Sequence, residues 1–335
     1  MGNYPSRSDI VTAMTNPNVS FKSNELIGGN VIQKGSRVVQ YAGGYTTVFP
    51  FIASDSKKVA IRCWIADIGD AKKRSQEISK FLKNLNSKYF VDFKYIDDAI
   101  LINGKLFPVV VMEWVNGQTI KEYVNNNINN SAKILKFAED FKEMVIYFHN
   151  QNISHGDLQH GNILIKDNGE LVAIDYDSMY IDTLKGMNDS IKGLPGYQHP
   201  ARINNNSVQP YTDYFSELVI YLSLLVYSDE PSLWNEYYET EDLLFSKDDF
   251  SNPNNSKLIN KLLISSNPDI VELTEKLIEE LSKNDLSELI PLEELLIDKR
   301  EVTKESIFDK MEKQPNPPEK KKAKLPNPND ITNKF

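Results

Sequence analysis

The stretch HGDLQHGNIL, His155 to Leu164, together with AIDYD, Ala173 to Asp177, constrains this chain more than any other part of it. A polar loop carrying Asp157 and Asn162 runs directly into two apolar runs, ILIK and LVAI, separated by Asp167, Asn168, Gly169 and Glu170. An Asp-Asn-Gly step between short apolar runs reads as a tight turn joining two strands. Asp157 and Asn162, five residues apart, therefore belong to a loop, and Asp175, thirteen residues beyond Asn162, belongs to the end of a strand.

The character of the chain changes at NGQ, Asn116 to Gln118. From Arg37 to about Val115 the runs VVQYAGGYTTVF, KKVAIRCWIA and LFPVVVMEWV are rich in β-branched and aromatic residues, which predicts strands. One segment, DAKKRSQEISKFLKNL, breaks that pattern, and its Ile78, Phe81, Leu82 and Leu85 recur at helical spacing. After Gln118 the amphipathic helices TIKEYVNNN, SAKILKFAEDFKEMVIYFHN, YFSELVIYLSLLVYS, LINKLL and IVELTEKLIEEL follow. The reading is an α+β chain with a small β-rich lobe over 37–115 and a larger helical lobe over 116–310. Residues 1–36, polar with scattered Pro and Gly, read as an N-terminal extension packed loosely on the first lobe. From 311 onward PNPP, KKKAK and PNPN read as a flexible Pro- and Lys-rich tail.

Composition narrows the partners. The 335 residues are 40% hydrophobic, enough for a sizeable core. A formal charge of −9 argues against a general nucleic-acid binder, since counterion-release binding needs an excess of Lys and Arg on one face. No apolar run approaches the roughly 20 residues that span a bilayer, and MGNYPSRSDI lacks the apolar stretch of a signal peptide, so no membrane association is expected. Cys63 is the only cysteine, which rules out an intrachain disulfide and favours a reducing, cytoplasmic setting. The abundance of Asn and Lys reads as bacterial. The histidines His149, His155, His160 and His199 lack zinc-ligand spacing.

HGDLQHGNIL resembles the catalytic loop of the protein kinase superfamily, in which a His or Tyr, an Asp and, five residues on, an Asn recur. The resemblance implies that Asp157 orients and deprotonates an attacking hydroxyl, that Asn162 helps hold Mg²⁺ on the phosphates of ATP, and that Asp175 is the metal-binding Asp of a DFG motif that here reads Asp175-Tyr176-Asp177. VVVMEWVNG is similar to the last small-lobe strand and hinge, with Met112 as gatekeeper and the Glu113 carbonyl and Val115 N–H meeting the adenine edge. GLPGYQHPAR, Gly193 to Arg202, resembles the end of an activation segment. TDYFSELV resembles the helix after it, with Asp213 bracing the catalytic-loop backbone. The resemblance covers roughly 37 to 230, extends more weakly to about 310, and implies a bilobal protein kinase-like fold acting on a protein substrate or binding partner.

Several positions depart from the family pattern. VAIRCW places Arg62 where the family has a phosphate-contacting lysine. Strand alternation turns Ala60 and Arg62 toward the nucleotide, and Ile61 and Cys63 toward the core. Glu77, fifteen residues after Arg62, is the expected helix carboxylate partner for it. YAGGYTTV keeps Gly43 at the middle glycine of the phosphate-covering loop, with Gly44 lending flexibility. Asp177 replaces the DFG glycine, Gln159 replaces a lysine of protein-directed kinases, and Ala201 replaces the glutamate of A-P-E. Three functions follow: an ATP- and Mg²⁺-dependent Ser/Thr-type phosphotransferase, a nucleotide-binding pseudokinase or scaffold favoured by Arg62, the sparse loop and Asp177, and a small-molecule kinase of the aminoglycoside phosphotransferase type, which Gln159 and HGD suggest.

Overall fold

The computed structural model describes residues 4–66, 69–189 and 191–297; the tail expected from 311 lies outside them. The small lobe holds α1 (Arg7–Met14), α2 (Pro17–Ser20) and the strands β1 (Asn30–Val31), β2 (Gln33–Lys34), β3 (Arg37–Val38), β4 (Tyr41–Ala42), β5 (Thr46–Ile52) and β6 (Lys58–Trp64). It is completed by α3 (Ala71–Leu85), β7 (Phe93–Ile102) and β8 (Lys105–Glu113). The main sheet runs in the order β1-β5-β6-β8-β7, with β4 also paired to β5. Every pairing in it is antiparallel, and Arg62 of β6 lies opposite Val48 and Val110.

The alternation along β6 decides which residues serve the core and which serve the cleft. Ile61 and Cys63 belong to the apolar core with Phe49, Phe51, Ile100 and Val109, while Ala60 and Arg62 face the other way and line a cavity. Burial pushes the Cys63 thiol far above its ordinary pKa.

The sequence predicts loose packing over 1–36, and over the described residues 4–36 the structure differs. Ile10, Met14, Phe21 and Leu26 are each at most 1% exposed and belong to the small-lobe core, with the Phe21 ring edge-on to Phe51 at 5.5 Å. The physical reason is a complete capping box: the Ser6 side chain accepts from the Asp9 backbone while the Asp9 carboxylate accepts from the Ser6 backbone. That fixes a short helix whose Ile10, Ala13 and Met14 share one face.

The large lobe holds β9 (Gly117–Thr119), α4 (Ile120–Asn127), α5 (Ser131–Asn150), β10 (Ile163–Lys166), β11 (Leu171–Ala173), α6 (Tyr214–Asp229), α7 (Trp234–Tyr237), α8 (Lys247–Ser251), α9 (Lys257–Leu262), α10 (Pro268–Leu281) and α11 (Leu292–Leu295). β10 and β11 form the expected hairpin, and β9 pairs with β10 on its other side. α6 is apolar on nearly all sides and is buried accordingly, packed between α5 and α10. This is the bilobal α+β architecture expected from the sequence. Among the described residues, no helix is long and apolar enough to cross a membrane.

Candidate active site

The loop between α5 and β10 is held from below by one buried carboxylate. Asp213, at the start of α6, accepts from the backbone N–H of His155 and, at 2.9 Å, from that of Gly156. His155 is fully buried; its Nδ1 accepts from the Asp157 N–H at 3.3 Å and its Nε2 donates to the Ile174 carbonyl at 2.8 Å, which assigns the neutral tautomer protonated on Nε2. Gly156 takes φ +77°, and a Cβ there would lie 2.0 Å from the Ser178 carbonyl oxygen, so only glycine fits.

Asp157 is fixed from two sides. Asn162 Nδ2 donates to the Asp157 carbonyl at 2.8 Å and to its Oδ2 at 3.1 Å, while the Leu194 N–H approaches Oδ1 at 3.3 Å. Because both bonds from Asn162 use its nitrogen, the amide oxygen points elsewhere. Burial raises the Asp157 carboxyl above the ordinary value; the Asp175 charge also raises it, and the Leu194 N–H and Arg202 oppose the shift. A carboxylate held this way is oriented and is a better proton acceptor than a free one.

Asp175 ends the hairpin in a left-handed conformation, φ +66°. Tyr176 is buried, its hydroxyl donating to the Ala173 carbonyl at 2.7 Å and accepting from the Val91 N–H at 3.0 Å, with Phe90 and Phe93 against its ring. This anchor directs Asp175 and Asp177 toward β6. Arg62 Nη2 donates to Asp175 Oδ1 at 3.0 Å and pairs with Asp177 Oδ2, while Arg62 Nε is buried with no partner among the described residues. Burial lifts the Asp177 carboxyl to about 6, with Arg62 pulling it down and Asp175 pushing it up. We hold Asp177 as the ionised partner of Arg62 near neutral pH, because the two groups are in direct contact.

Between the lobes lies a cavity of ≈ 570 Å³, within the range of small-molecule sites. Gly43, Ala60, Arg62, Glu113, Val115 and Asp175, all singled out from the sequence, line it. Gly44 does not; it sits exposed beside the cleft. Glu77 is not brought to Arg62 either. It bonds Lys80 at 2.8 Å, because the inward stripe of α3 is Arg74, Ile78 and Leu82 and turns Glu77 aside.

Several further contributors were not among the expected site residues. Tyr41 and Trp114, ring centroids 6.0 Å apart, wall the cavity mouth, and Lys58 Nζ lies 4.2 Å over the Trp114 ring. Arg7, on α1, donates to the Gly43 carbonyl at 2.7 Å and steadies the loop over the cleft. Arg74 is buried, and burial lowers its pKa against the nearby Asp177, Asp70 and Asp189. At the far end of the segment that begins with Asp175, Arg202 forms a two-bond pair with Asp189, at 3.0 and 2.9 Å, with both side chains almost fully buried.

Residues 42–297 match the protein kinase domain family. The chain is 28% identical over 191 residues to a probable serine/threonine-protein kinase, mkcD, of Dictyostelium discoideum, an overlap of 55% of this chain and 28% of that protein. It is 27% identical over 190 residues to the probable serine/threonine-protein kinase zyg-1 of Caenorhabditis briggsae, covering 54% of this chain and 25% of that one. This chain thus spans less than a third of the length of these relatives.

Proposed function

From the premise that the chain belongs to the protein kinase family, we propose that it transfers the γ-phosphoryl group of ATP to a hydroxyl on a protein. The observation that carries the reading is Asp157, fixed by Asn162 and the Leu194 N–H and made more basic by burial. Asp157 takes the proton of the acceptor hydroxyl as its oxygen bonds the γ-phosphorus; the bond from that phosphorus to the bridging oxygen breaks, and ADP leaves. Asn162 and Asp175 are hard oxygen donors suited to Mg²⁺, which when bound neutralises charge on the phosphates. Ala60, Glu113 and Val115 border the space for adenine, Gly43 and Gly44 belong to the loop over the phosphates, and Arg62, with its unpartnered Nε in a cleft of suitable size, meets them. Asp157→Ala and Asp175→Ala should each lower transfer of labelled γ-phosphate, by about 10²-fold or more. Incorporation equal to that of the unaltered protein would refute the reading.

A second reading has its own observation. Arg62 is paired with Asp175, the residue the metal needs, which favours a nucleotide-binding module that does not turn over. Thermal stabilisation by ATP and Mg²⁺ without labelled product supports that reading, and robust turnover excludes it.

A further inference from the structure

Helix α3 offers Arg62 no carboxylate. Its sole acidic residue, Glu77, is engaged by Lys80, and its inward face is Arg74, Ser75, Ile78 and Leu82. Arg74, 7% exposed, is held by two backbone carbonyls, Met179 at 3.0 Å and Asn188 at 2.8 Å, in the segment after Asp175. Asp177 stands between the two guanidiniums: it pairs with Arg62 and shares with Arg74 the walls of a small polar cavity. A buried guanidinium is costly without a counter-ion. In protein kinases the corresponding strand cation takes one from the helix that follows.

We propose that Asp177 is the positioning residue for Arg62, replacing a helix carboxylate, and that its hold on Arg62 frees Asp175 for the metal. The inference rests on the nucleotide-binding reading above. Arg62 shares one nitrogen between two carboxylates of unequal exposure, 50% for the Asp175 side chain and 15% for Asp177. Asp175 borders the nucleotide cavity and Asp177 does not. When Asp175 turns to Mg²⁺ its bond to Arg62 is given up, while the bond to Asp177 persists, so the buried cation keeps a partner and its aim into the cleft. The aim of Arg62 then follows the segment that carries Asp177 and is independent of the placement of Glu77.

Asp177→Asn preserves shape and removes the charge. Arg62 then depends on Asp175 alone, and drawing Asp175 toward the metal becomes harder. With ATP saturating, Mg²⁺ is titrated against the full chain and followed by thermal shift; in Asp177→Asn the midpoint Mg²⁺ concentration should rise about tenfold. Affinity for adenosine, which has no phosphate, should stay unchanged, and Glu77→Gln should move neither quantity. Asp177→Gly carries the same expectation should the Asn variant fail to fold. An unshifted midpoint in the Asp177 variants, the shift appearing in Glu77→Gln, or a parallel loss of adenosine affinity each overturns the inference. If the unaltered protein does not respond to ATP with Mg²⁺, the nucleotide-binding reading falls and takes this inference with it. A responding unaltered protein with an indifferent Asp177→Asn removes this inference alone.

Discussion

Gly193 takes φ +73°, and a Cβ on it would stand 2.6 Å from Asp157 Oδ1. The residue is thus a spacer that lets the segment before Pro195 approach the Asp157 carboxylate without displacing it. Gly193→Ala should lower phosphoryl transfer about 10²-fold, the effect of misplacing a reacting group by about 1 Å, with nucleotide affinity little changed. Single-turnover rates alongside nucleotide titrations check this. At this scale the sequence was legible where spacing along the chain decides geometry: Asp157 and Asn162 meet across their five-residue interval because a tight loop leaves few ways to close, while Asp213, far along the chain, was placed under the loop by the resemblance of its own motif. It misled where the rotation of a helix decides. Glu77 suits Arg62 by counting residues, yet Arg74, Ile78 and Leu82 form the buried i, i+4, i+8 stripe of α3, and that stripe was open to reading from Ile78 and Leu82 backward.

Three helices meet at one imidazole. His149 of α5 bonds Glu217 of α6 through Nε2 and Glu293 of α11 through Nδ1, each at 2.9 Å. Burial alone would lower the His149 pKa, but the two carboxylates outweigh it and raise the value to about 9. Burial pushes Glu217 up in turn; contact with the imidazolium keeps it ionised. A histidine whose folded pKa exceeds its unfolded one contributes stability that is full below the unfolded value of 6.5 and is lost as pH rises through about 9. Between those limits unfolding free energy should fall by about 3 kcal/mol, and His149→Gln should flatten the slope. Urea unfolding across that pH range measures both. The hairpin β10–β11 and the long helices were legible because period and turn chemistry agree, whereas α11, four residues long, carries too few residues to show a period.

For the molecule as a whole, the boundary of the family match at residue 42 is not the boundary of the folded unit. Ile10, Met14, Phe21 and Leu26 are buried in the small-lobe core, and each such side chain contributes about 1.5–3 kcal/mol. Together they approach the roughly 5–15 kcal/mol that holds a domain folded. A chain beginning at residue 37 should therefore be insoluble or bind hydrophobic dyes without a cooperative unfolding transition, as expression and urea titration would reveal. The capping pair Ser6 and Asp9, with Ile10, Ala13 and Met14 behind it, carried that information, but eight residues among polar neighbours read as part of a loosely packed extension. The same core encloses Cys63, the chain's only thiol, 2% exposed and next to Arg62 on β6. With its sulfur shielded in the folded lobe, thiol modification should count small-lobe openings. A compound seated in the cleft that stabilises the small lobe should announce itself by slowing that count, with no substrate needed and no label attached beforehand.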